Sequence, residues 1–201
     1  MTATPLLRAQ SLSLTRGGRD LFHDISIAVL PGELWQIEGA NGAGKTSLMR
    51  ILTGLSRYGY EGAVERACAA LYLGHKPAVK GMLTPRENLR MHVSGRLQVS
   101  DEAIDEALAR VGLLGYENTP CNQLSAGQHR RVNLSRLYLD EAPLWLLDEP
   151  FTAIDKQGVK ALERRMDEHA AAGGAVVVVS HQTLAVSAQM RTLSLGERVR
   201  A

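Results

Sequence analysis

The chain has 201 residues, and its 45% hydrophobic and 22% charged residues suit one folded domain with a buried core rather than a disordered protein. The net charge of +2 gives no sign of the concentrated basic charge that is typical of nucleic-acid-binding proteins. No apolar stretch approaches the ~20 residues that a membrane span requires. No signal peptide is expected at the N-terminus, and the two cysteines, Cys68 and Cys121, are too few for a disulfide framework or a zinc site, as is typical of the reducing cytoplasm.

The first third of the chain predicts β-structure. Apolar residues alternate with polar ones near residues 11–14 and recur over 22–29, and the glycines at 17 and 18 indicate a turn between the two segments. A short strand over 33–37 leads into a glycine-rich loop. Apolar spacings of three and four then predict a helix over 45–55, and the next buried strand is expected over 68–73.

From about residue 80, helical patterns dominate. Thr84 and Glu87 have the spacing of a capping box, with Pro85 at the first helical position. The remaining elements follow in chain order: helices over 101–111 and from 125 to about 139, a strand over 144–147, an amphipathic helix near 159–166 and a buried strand over 175–179.

Alternation of strands and helices predicts an α/β fold with a mostly parallel sheet, which helices cover on both faces. An antiparallel β region is expected at the N-terminus. The helical run over about 80–140 is interpreted as a subdomain inserted into a core made of residues 1–79 and 141–201. We expect the 201 residues to form a single domain of this kind.

Residues 39–46 match the phosphate-binding pattern G-x-x-x-x-G-K-[ST] at every fixed position. Glycines let backbone N–H groups wrap around phosphates, and the following helix presents its positive end to the same anion. Lys45 is expected to reach the β- and γ-phosphates of ATP, and the Thr46 hydroxyl to bind Mg²⁺. The predicted nucleotide-binding residues are Gly39, Ala40, Asn41, Gly42, Ala43, Gly44, Lys45, Thr46 and Ser47.

Two carboxylates, Asp148 and Glu149, follow the buried strand over 144–147. Ligands of open α/β sheets lie beyond the carboxyl ends of the strands, so Asp148 is expected to hold Mg²⁺ and Glu149 to act as general base on the attacking water. A solvated strand end is the alternative, because paired acids are common there. The phosphate-binding loop favours the catalytic interpretation.

Residues 124–128 read Leu-Ser-Ala-Gly-Gln and precede a basic and apolar helix. Ser125 and Gln128 again have the spacing of a capping box, so one interpretation is a well-capped helix. The other is a second anion site, in which the Ser125 hydroxyl and the Gly127 backbone face a γ-phosphate. Spacing alone does not decide between them.

Together these motifs resemble the ATP-binding subunits of ABC transporters over nearly the whole chain. The segment 124–128 is a variant of that family's Leu-Ser-Gly-Gly-Gln signature and precedes Asp148 at the expected distance. The resemblance implies two ATP molecules enclosed between two copies of the chain. In that arrangement the signature residues of one copy contact the nucleotide held by the other: Ser125, Ala126, Gly127 and Gln128.

Other positions of this chain correspond to further functional positions of the family, some with the usual residue and some with a different one. The resemblance implies that Asp155 belongs to the D-loop at the dimer interface and that His181 is the histidine that contacts the γ-phosphate. Arg16 stands where the family has an adenine-stacking aromatic residue; it can stack weakly through its guanidinium or be a solvated turn residue. His75, or Lys76 with a shift of one, stands where the family has the glutamine that couples Mg²⁺ to the membrane partner.

Within the family, several short segments of the sequence are most similar to the haem-exporter type of ATP-binding subunit in cytochrome c biogenesis. One difference is Lys76, which replaces a glutamine that is usual there. This resemblance implies ATP hydrolysis that drives haem export or release of haem to its chaperone. It implies integral membrane permease subunits as partners, no nucleic acid, and a cytoplasmic position on the inner (plasma) membrane, with membrane contact through partners only. The alternatives are an ABC exporter ATPase for another small substrate and a soluble ABC ATPase in an assembly process.

Overall fold

A computed structural model describes residues 4–93 and 99–196. The chain divides into two compact units. The first unit contains Met1–Tyr72, Ala142–Glu149 and Glu163–Ala201, and the second contains Leu73–Glu141 and Pro150–Leu162. The segment expected to be a helical subdomain, about 80–140, lies within the second unit, which also takes in Pro150–Leu162.

The described part of the chain contains both β-strands and α-helices. In order they are β1 (Leu7–Arg16), β2 (Arg19–Val29), β3 (Glu33–Gly39), α1 (Lys45–Thr53), β4 (Glu61–Arg66), β5 (Ala70–Leu73), α2 (Pro85–Val93), α3 (Asp101–Arg110), α4 (Ala126–Leu134), β6 (Leu144–Asp148), α5 (Lys156–Ala171), β7 (Ala175–Val179) and β8 (Gln189–Leu195). Short 3₁₀ turns cover Cys121–Gln123 and Ser135–Tyr138.

An antiparallel sheet of three strands, in the order β2-β1-β4, forms the N-terminal part of the first unit. Gly17 and Gly18 have φ angles of 59° and 73°, which fit the tight left-handed turn of the β1–β2 hairpin. Leu7 and Leu12 on β1 are fully buried in the core of this unit. The antiparallel β region expected at the N-terminus is therefore confirmed.

The second sheet has the order β5-β6-β7-β3-β8, and the pairs that β7 forms with β6 and β3 are parallel. Every residue of β7 is buried, as the apolar run over 175–179 predicts. In the sheet register Val179 lies opposite both Asp148 and Ile37. The carboxyl ends of β3, β6 and β7 therefore meet at one edge of the sheet. The mostly parallel α/β architecture predicted from the sequence is confirmed.

The second unit has its own hydrophobic core, in which Leu89, Ile104 and Val132 are fully buried. Its helices begin as the sequence indicates: Thr84 and Glu87 exchange capping-box hydrogen bonds at the start of α2. The helix expected to reach about residue 139 ends at Leu134 and continues as a 3₁₀ turn. Among the residues that the structure describes, no helix is long and apolar enough to cross a bilayer.

Candidate nucleotide-binding and catalytic site

The phosphate-binding loop connects β3 to α1, and its backbone requires glycine at both ends. Gly39 has a φ of 145°, and a Cβ atom there would lie 2.5 Å from the carbonyl oxygen of Leu195. Gly44 has a φ of 97°, and its Cβ would lie 3.0 Å from the Cβ of Leu21. A side chain at either position would combine backbone strain with a steric clash. The loop therefore takes the shape that the glycine pattern predicts.

Lys45 is the first residue of α1 and is only 7% exposed. Its Nζ atom donates hydrogen bonds to the carbonyl oxygens of Gly39 (2.6 Å) and Ala40 (3.1 Å), so its charge lies against the loop. Gly44 caps α1 without a side chain, which leaves the first N–H groups of the helix for another acceptor. An ammonium group and a helix N-terminus at one loop are suited to an anion.

Asp148 ends β6 and is 1% exposed. The hydroxyl of Tyr72 on β5 donates a hydrogen bond to Asp148 Oδ2 at 3.4 Å. Burial and, to a smaller extent, the negative charge of Asp148 raise the pKa of Tyr72 to about 12. The phenol therefore stays protonated and orients the carboxylate. The sequence does not single out Tyr72, because its position resembles that of any other residue in a buried strand.

Glu149 and His181 come together at the carboxyl ends of β6 and β7. His181 Nε2 lies 3.8 Å from Glu149 Oε1, and their side chains are 51% and 30% exposed. Glu149 has a φ of 50°, a left-handed conformation that few residues other than glycine adopt. Its N–H donates to the carbonyl of Val179 at 3.0 Å, which fixes it beside β7. The structure thus brings together two side chains that are far apart in the sequence.

A buried glutamine holds the loop that carries His181. Gln36 on β3 is 2% exposed, and its Nε2 donates to the carbonyl oxygens of Ser180 (3.4 Å) and Gln182 (2.9 Å). The Ser180 hydroxyl accepts a further hydrogen bond from the N–H of Gln182 at 3.0 Å. Gln36 is a functional candidate that the sequence analysis missed. The available signal was a polar amide in the middle of the strand predicted over 33–37.

The signature segment forms the start of α4. Ser125 is the N-cap: its Oγ accepts from the N–H of Gln128 at 3.2 Å, and Gln128 Oε1 accepts from the N–H of Ser125 at 2.8 Å. The capping box is therefore present. Ser125 and Ala126 are nevertheless exposed, and a Cβ on Gly127 would lie 2.9 Å from the carbonyl oxygen of Ala153. The helix is therefore capped by Ser125, and its N-terminus is also exposed, as an anion site would require.

Asp155 precedes α5 and caps it. Its Oδ1 accepts from the N–H of Gly158 at 2.7 Å, and its Oδ2 accepts from Arg131 Nη2 at 2.8 Å. The hydrogen bond from Gly158 and the nearby guanidinium lower the pKa of Asp155, so it is ionised. Arg131 belongs to α4, so a salt bridge joins the signature helix to the segment before α5.

Three further predicted site residues, Arg16, His75 and Lys76, are on the surface. Arg16 ends β1, is exposed and pairs with Arg19 across the hairpin. His75 and Lys76 follow β5 and are also exposed. Within the described ranges, no group of three or more His, Cys, Asp and Glu side chains is arranged to hold a metal ion.

Comparison with known proteins identifies the family. The model of the ABC transporter family matches residues 22–152. The cytochrome c biogenesis ATP-binding export protein CcmA of Hahella chejuensis is 48% identical over 204 residues, which cover 96% of this chain and 97% of that protein. The chain belongs to the CcmA family of ABC transporter ATPases.

Other relatives agree with this membership. The CcmA protein of Yersinia pestis bv. Antiqua is 51% identical over 204 residues, covering 95% of this chain and 93% of that protein. Among solved structures, the dimeric ATP-binding cassette MJ0796, in a post-hydrolysis state bound to ADP and Pi, has a TM-score of 0.78. The alignment covers 88% of each chain at 21% identity, so it supports the shared fold. The resemblance stated from the sequence motifs is confirmed at the level of this CcmA family.

Proposed function

We propose that this chain binds ATP between two copies of itself and hydrolyses it to drive a membrane complex in cytochrome c biogenesis. The observation that carries the proposal is the edge of the parallel sheet in the first unit. There the phosphate-binding loop follows β3, Asp148 ends β6, and Glu149 lies 3.8 Å from His181. ATP hydrolysis requires a loop that binds the phosphates, a carboxylate that accepts a proton from water and a hydrogen-bond donor such as an imidazole, and all three are present here.

The residues at this edge fit Mg²⁺. The ion prefers hard oxygen ligands and keeps several waters, so it is commonly held by one or two protein groups and the phosphates. Thr46 offers a hydroxyl at the start of α1, and Asp148 offers a carboxylate oriented by Tyr72. Bound there with the nucleotide, Mg²⁺ would neutralise charge on the phosphates.

The protein groups have separate tasks in the proposed reaction. Lys45 turns its ammonium group from the loop carbonyls toward the β- and γ-phosphates, where positive charge stabilises the transferred phosphoryl group. Glu149 accepts the proton of the water that attacks the γ-phosphate. His181 donates a hydrogen bond to a γ-phosphate oxygen, and Gln36 keeps its loop in position. The products are ADP and phosphate.

The second copy would complete each site. Ser125, Ala126, Gly127 and Gln128 lie at the start of α4 and would face the nucleotide of the partner copy, with Asp155 beside the interface. The exposure of Ser125 and Ala126 supports this, because a helix N-terminus that serves another chain must be accessible. MJ0796, which has the same fold, is dimeric in its structure with ADP and Pi, and by analogy this supports a dimer of the present chain.

Membrane contact would come through partner chains. Met82, Met91 and Leu114 are exposed apolar side chains of the second unit that an integral membrane permease subunit would cover. This would place the chain on the cytoplasmic face of the inner membrane, where ATP is available. Haem export or release of haem to its chaperone is the transport step we propose, with haem contacts on other chains. Export of another small substrate is the alternative within the same architecture.

Three surface residues, Arg16, His75 and Lys76, also have proposed roles. Arg16 would stack weakly on the adenine ring, since a guanidinium can lie flat on an aromatic face. His75 and Lys76 would couple the permease to hydrolysis in place of the usual glutamine. A charged lysine cannot ligate Mg²⁺ directly, so this coupling would run through His75, a water or the main chain.

The decisive experiment replaces the proposed general base. Glu149→Gln keeps the shape of the side chain but removes its ability to accept a proton, so we expect hydrolysis to fall by about 10³-fold while ATP binding is retained. Bound ATP should then accumulate in a stable dimer, measured by light scattering during gel filtration. An unaltered hydrolysis rate in this variant would refute the assignment.

A second variant separates binding from chemistry. Lys45→Ala removes the ammonium group from the loop and is expected to lose ATP binding, measured with a fluorescent ATP analogue.

Purification of the wild-type chain in mild detergent would identify the permease. A cytochrome c maturation subunit should co-purify, whereas a partner set made of water-soluble proteins alone would contradict the membrane assignment.

A further inference from the structure

One buried arginine holds two consecutive carbonyl groups of the coupling segment, which we define as residues 73–77. Arg130 Nη1 donates to the carbonyl oxygen of Gly74 at 3.2 Å, and Nη2 donates to that of His75 at 2.6 Å. Arg130 is 3% exposed, and all three residues belong to the second unit. The resemblance to the ABC family does not assign this arginine a role.

Arg130 lies on α4, the helix that begins with the signature residues. The capping box of Ser125 and Gln128 starts this helix, and Arg130 follows within the next turn. Because an α-helix of this length behaves as a stiff rod, the signature end of α4 and the guanidinium of Arg130 move together. A contact from Arg130 to the coupling segment therefore links that segment to the signature.

The arginine suits this task better than another cation would. Its planar guanidinium presents several N–H donors in a fixed fork, which can reach two carbonyl oxygens at once, whereas a lysine offers a point charge on a flexible stem. Burial of the charge makes loss of these acceptors costly, so the contact resists separation. Nearby, Arg136 donates to the carbonyl of Ala78 at 2.8 Å and is 4% exposed, which extends the attachment along the same stretch of chain.

We propose that Arg130 is a positioning residue that fastens the coupling segment to the signature helix, so that displacement of one displaces the other. The proposal rests on the proposed function, because it gives both segments their roles. The two acceptors in this contact are main-chain carbonyl groups, and they do not depend on which side chain stands at 75 or 76. This explains how a chain with His75 and Lys76 in place of a glutamine transmits the state of its permease to the signature.

The test compares Arg130→Gln and Arg130→Lys with the wild-type full-length chain. In Arg130→Gln we expect backbone hydrogen exchange to quicken about tenfold over residues 73–76 and 125–128, since both segments lose a common anchor. Exchange over α1, in the first unit, should stay unchanged. The kcat for ATP should fall about tenfold with KM within about twofold, and Arg130→Lys should recover part of both effects.

Arg90→Gln is the matched control. Arg90 also lies in the second unit and forms a forked ion pair, but its partner is the carboxylate of Asp101 on the surface. We expect this variant to leave exchange at both segments and kcat close to wild type. If it reproduced the Arg130→Gln effects, general loosening of the unit would explain them and the proposal would be overturned.

The outcomes separate this proposal from the proposed function. If the wild type hydrolyses ATP and Arg130→Gln has normal hydrogen exchange and normal kcat, the role of Arg130 would be refuted. The proposed function would stand. Faster exchange confined to residues 73–76 would refute the link to the signature. Absence of hydrolysis in the wild type would contradict the proposed function, while hydrogen exchange would still report whether Arg130 fastens the two segments.

Discussion

Gln36 acts on the catalytic edge through the main chain of a neighbouring loop. Its amide nitrogen donates to two carbonyl groups, those of Ser180 and Gln182, which flank His181 on both sides. Because the amide is 2% exposed, water cannot replace it without entering the core. The position of the imidazole relative to Glu149 therefore depends on a residue of β3.

We expect Gln36→Leu to lower kcat by about tenfold, a loss of ~1.4 kcal/mol in transition-state stabilisation, while ATP binding stays intact. The leucine fills a similar volume but cannot donate to either carbonyl group, and the Gln182 carbonyl then keeps the 3.3 Å hydrogen bond from the Ser180 hydroxyl, so the His181 loop should shift. Steady-state hydrolysis and nucleotide titration measure the two effects. Gln10→Leu, on an exposed position of β1, is the control and should leave both unchanged.

The sequence alone identifies candidate site residues where they belong to a local pattern. The glycines of the loop, Lys45 and the acidic pair all have fixed spacing, so their positions could be predicted. Gln36 and Tyr72 instead contact partners 146 and 76 positions away, and Arg130 reaches a carbonyl 56 positions away. Contacts of this kind depend on how strands and helices pack, which no short pattern encodes.

At the scale of elements, β6 and α5 are joined by an aromatic stack in the first unit. The rings of Trp145 and His169 are parallel within 6° with centroids 3.7 Å apart, and Arg165 lies 4.9 Å from the centre of the Trp145 ring. Burial lowers the pKa of His169 to about 4, so the imidazole is neutral and its Nε2–H donates to the carbonyl of Pro143 at 3.1 Å. A charged imidazole would disfavour this packing.

The stack makes stability depend on pH in a defined direction. An unfolded histidine titrates near 6.5 and His169 near 4 in the folded protein, so between these values the unfolded chain binds a proton that the folded chain does not. The free energy of unfolding should therefore fall as pH decreases from about 6.5 to about 4. His169→Phe, which can stack but cannot titrate, should show a shallower decline in urea unfolding at a series of pH values.

A control keeps this prediction specific. His23→Phe removes an exposed histidine of β2 outside the stack, so its pH profile should follow that of the wild type. If His169→Phe and the wild type lost stability in parallel over this range, the titration of His169 would not be the cause. Far-UV circular dichroism at neutral pH would verify that each variant is folded before the comparison.

The elements themselves were predictable where one sequence pattern dominates. The apolar runs of β6 and β7 and the capping box of α2 stand out without knowledge of the fold. The strands β4 and β8 were not foreseen, because most of their residues are exposed and lack clear alternation. β4 and β8 lie at the edges of their sheets, so their pairing depends on neighbours from distant parts of the chain.

At the scale of the whole molecule, the chain carries two halves of a proposed site that face different nucleotides. The phosphate-binding loop, Asp148 and Glu149 would act on the nucleotide of their own copy, and the signature residues on that of the partner. A substitution in the signature should therefore spare ATP binding and weaken the dimer. Retained ATP binding with a weakened dimer would distinguish a site shared between two copies from a site completed within a single chain.

Ser125→Asp tests this directly, because aspartate is as good an N-cap as serine but places a negative charge where a γ-phosphate would approach. In a Glu149→Gln background we expect this variant to bind ATP within about twofold of its parent and to remain monomeric. Ser125→Asn, which caps without charge, should retain most of the ATP-driven dimer. Light scattering with and without ATP measures the dimer, and fluorescent ATP titration measures binding. Loss of ATP binding by the Ser125→Asp monomer would instead mean that the signature serves the nucleotide of its own chain.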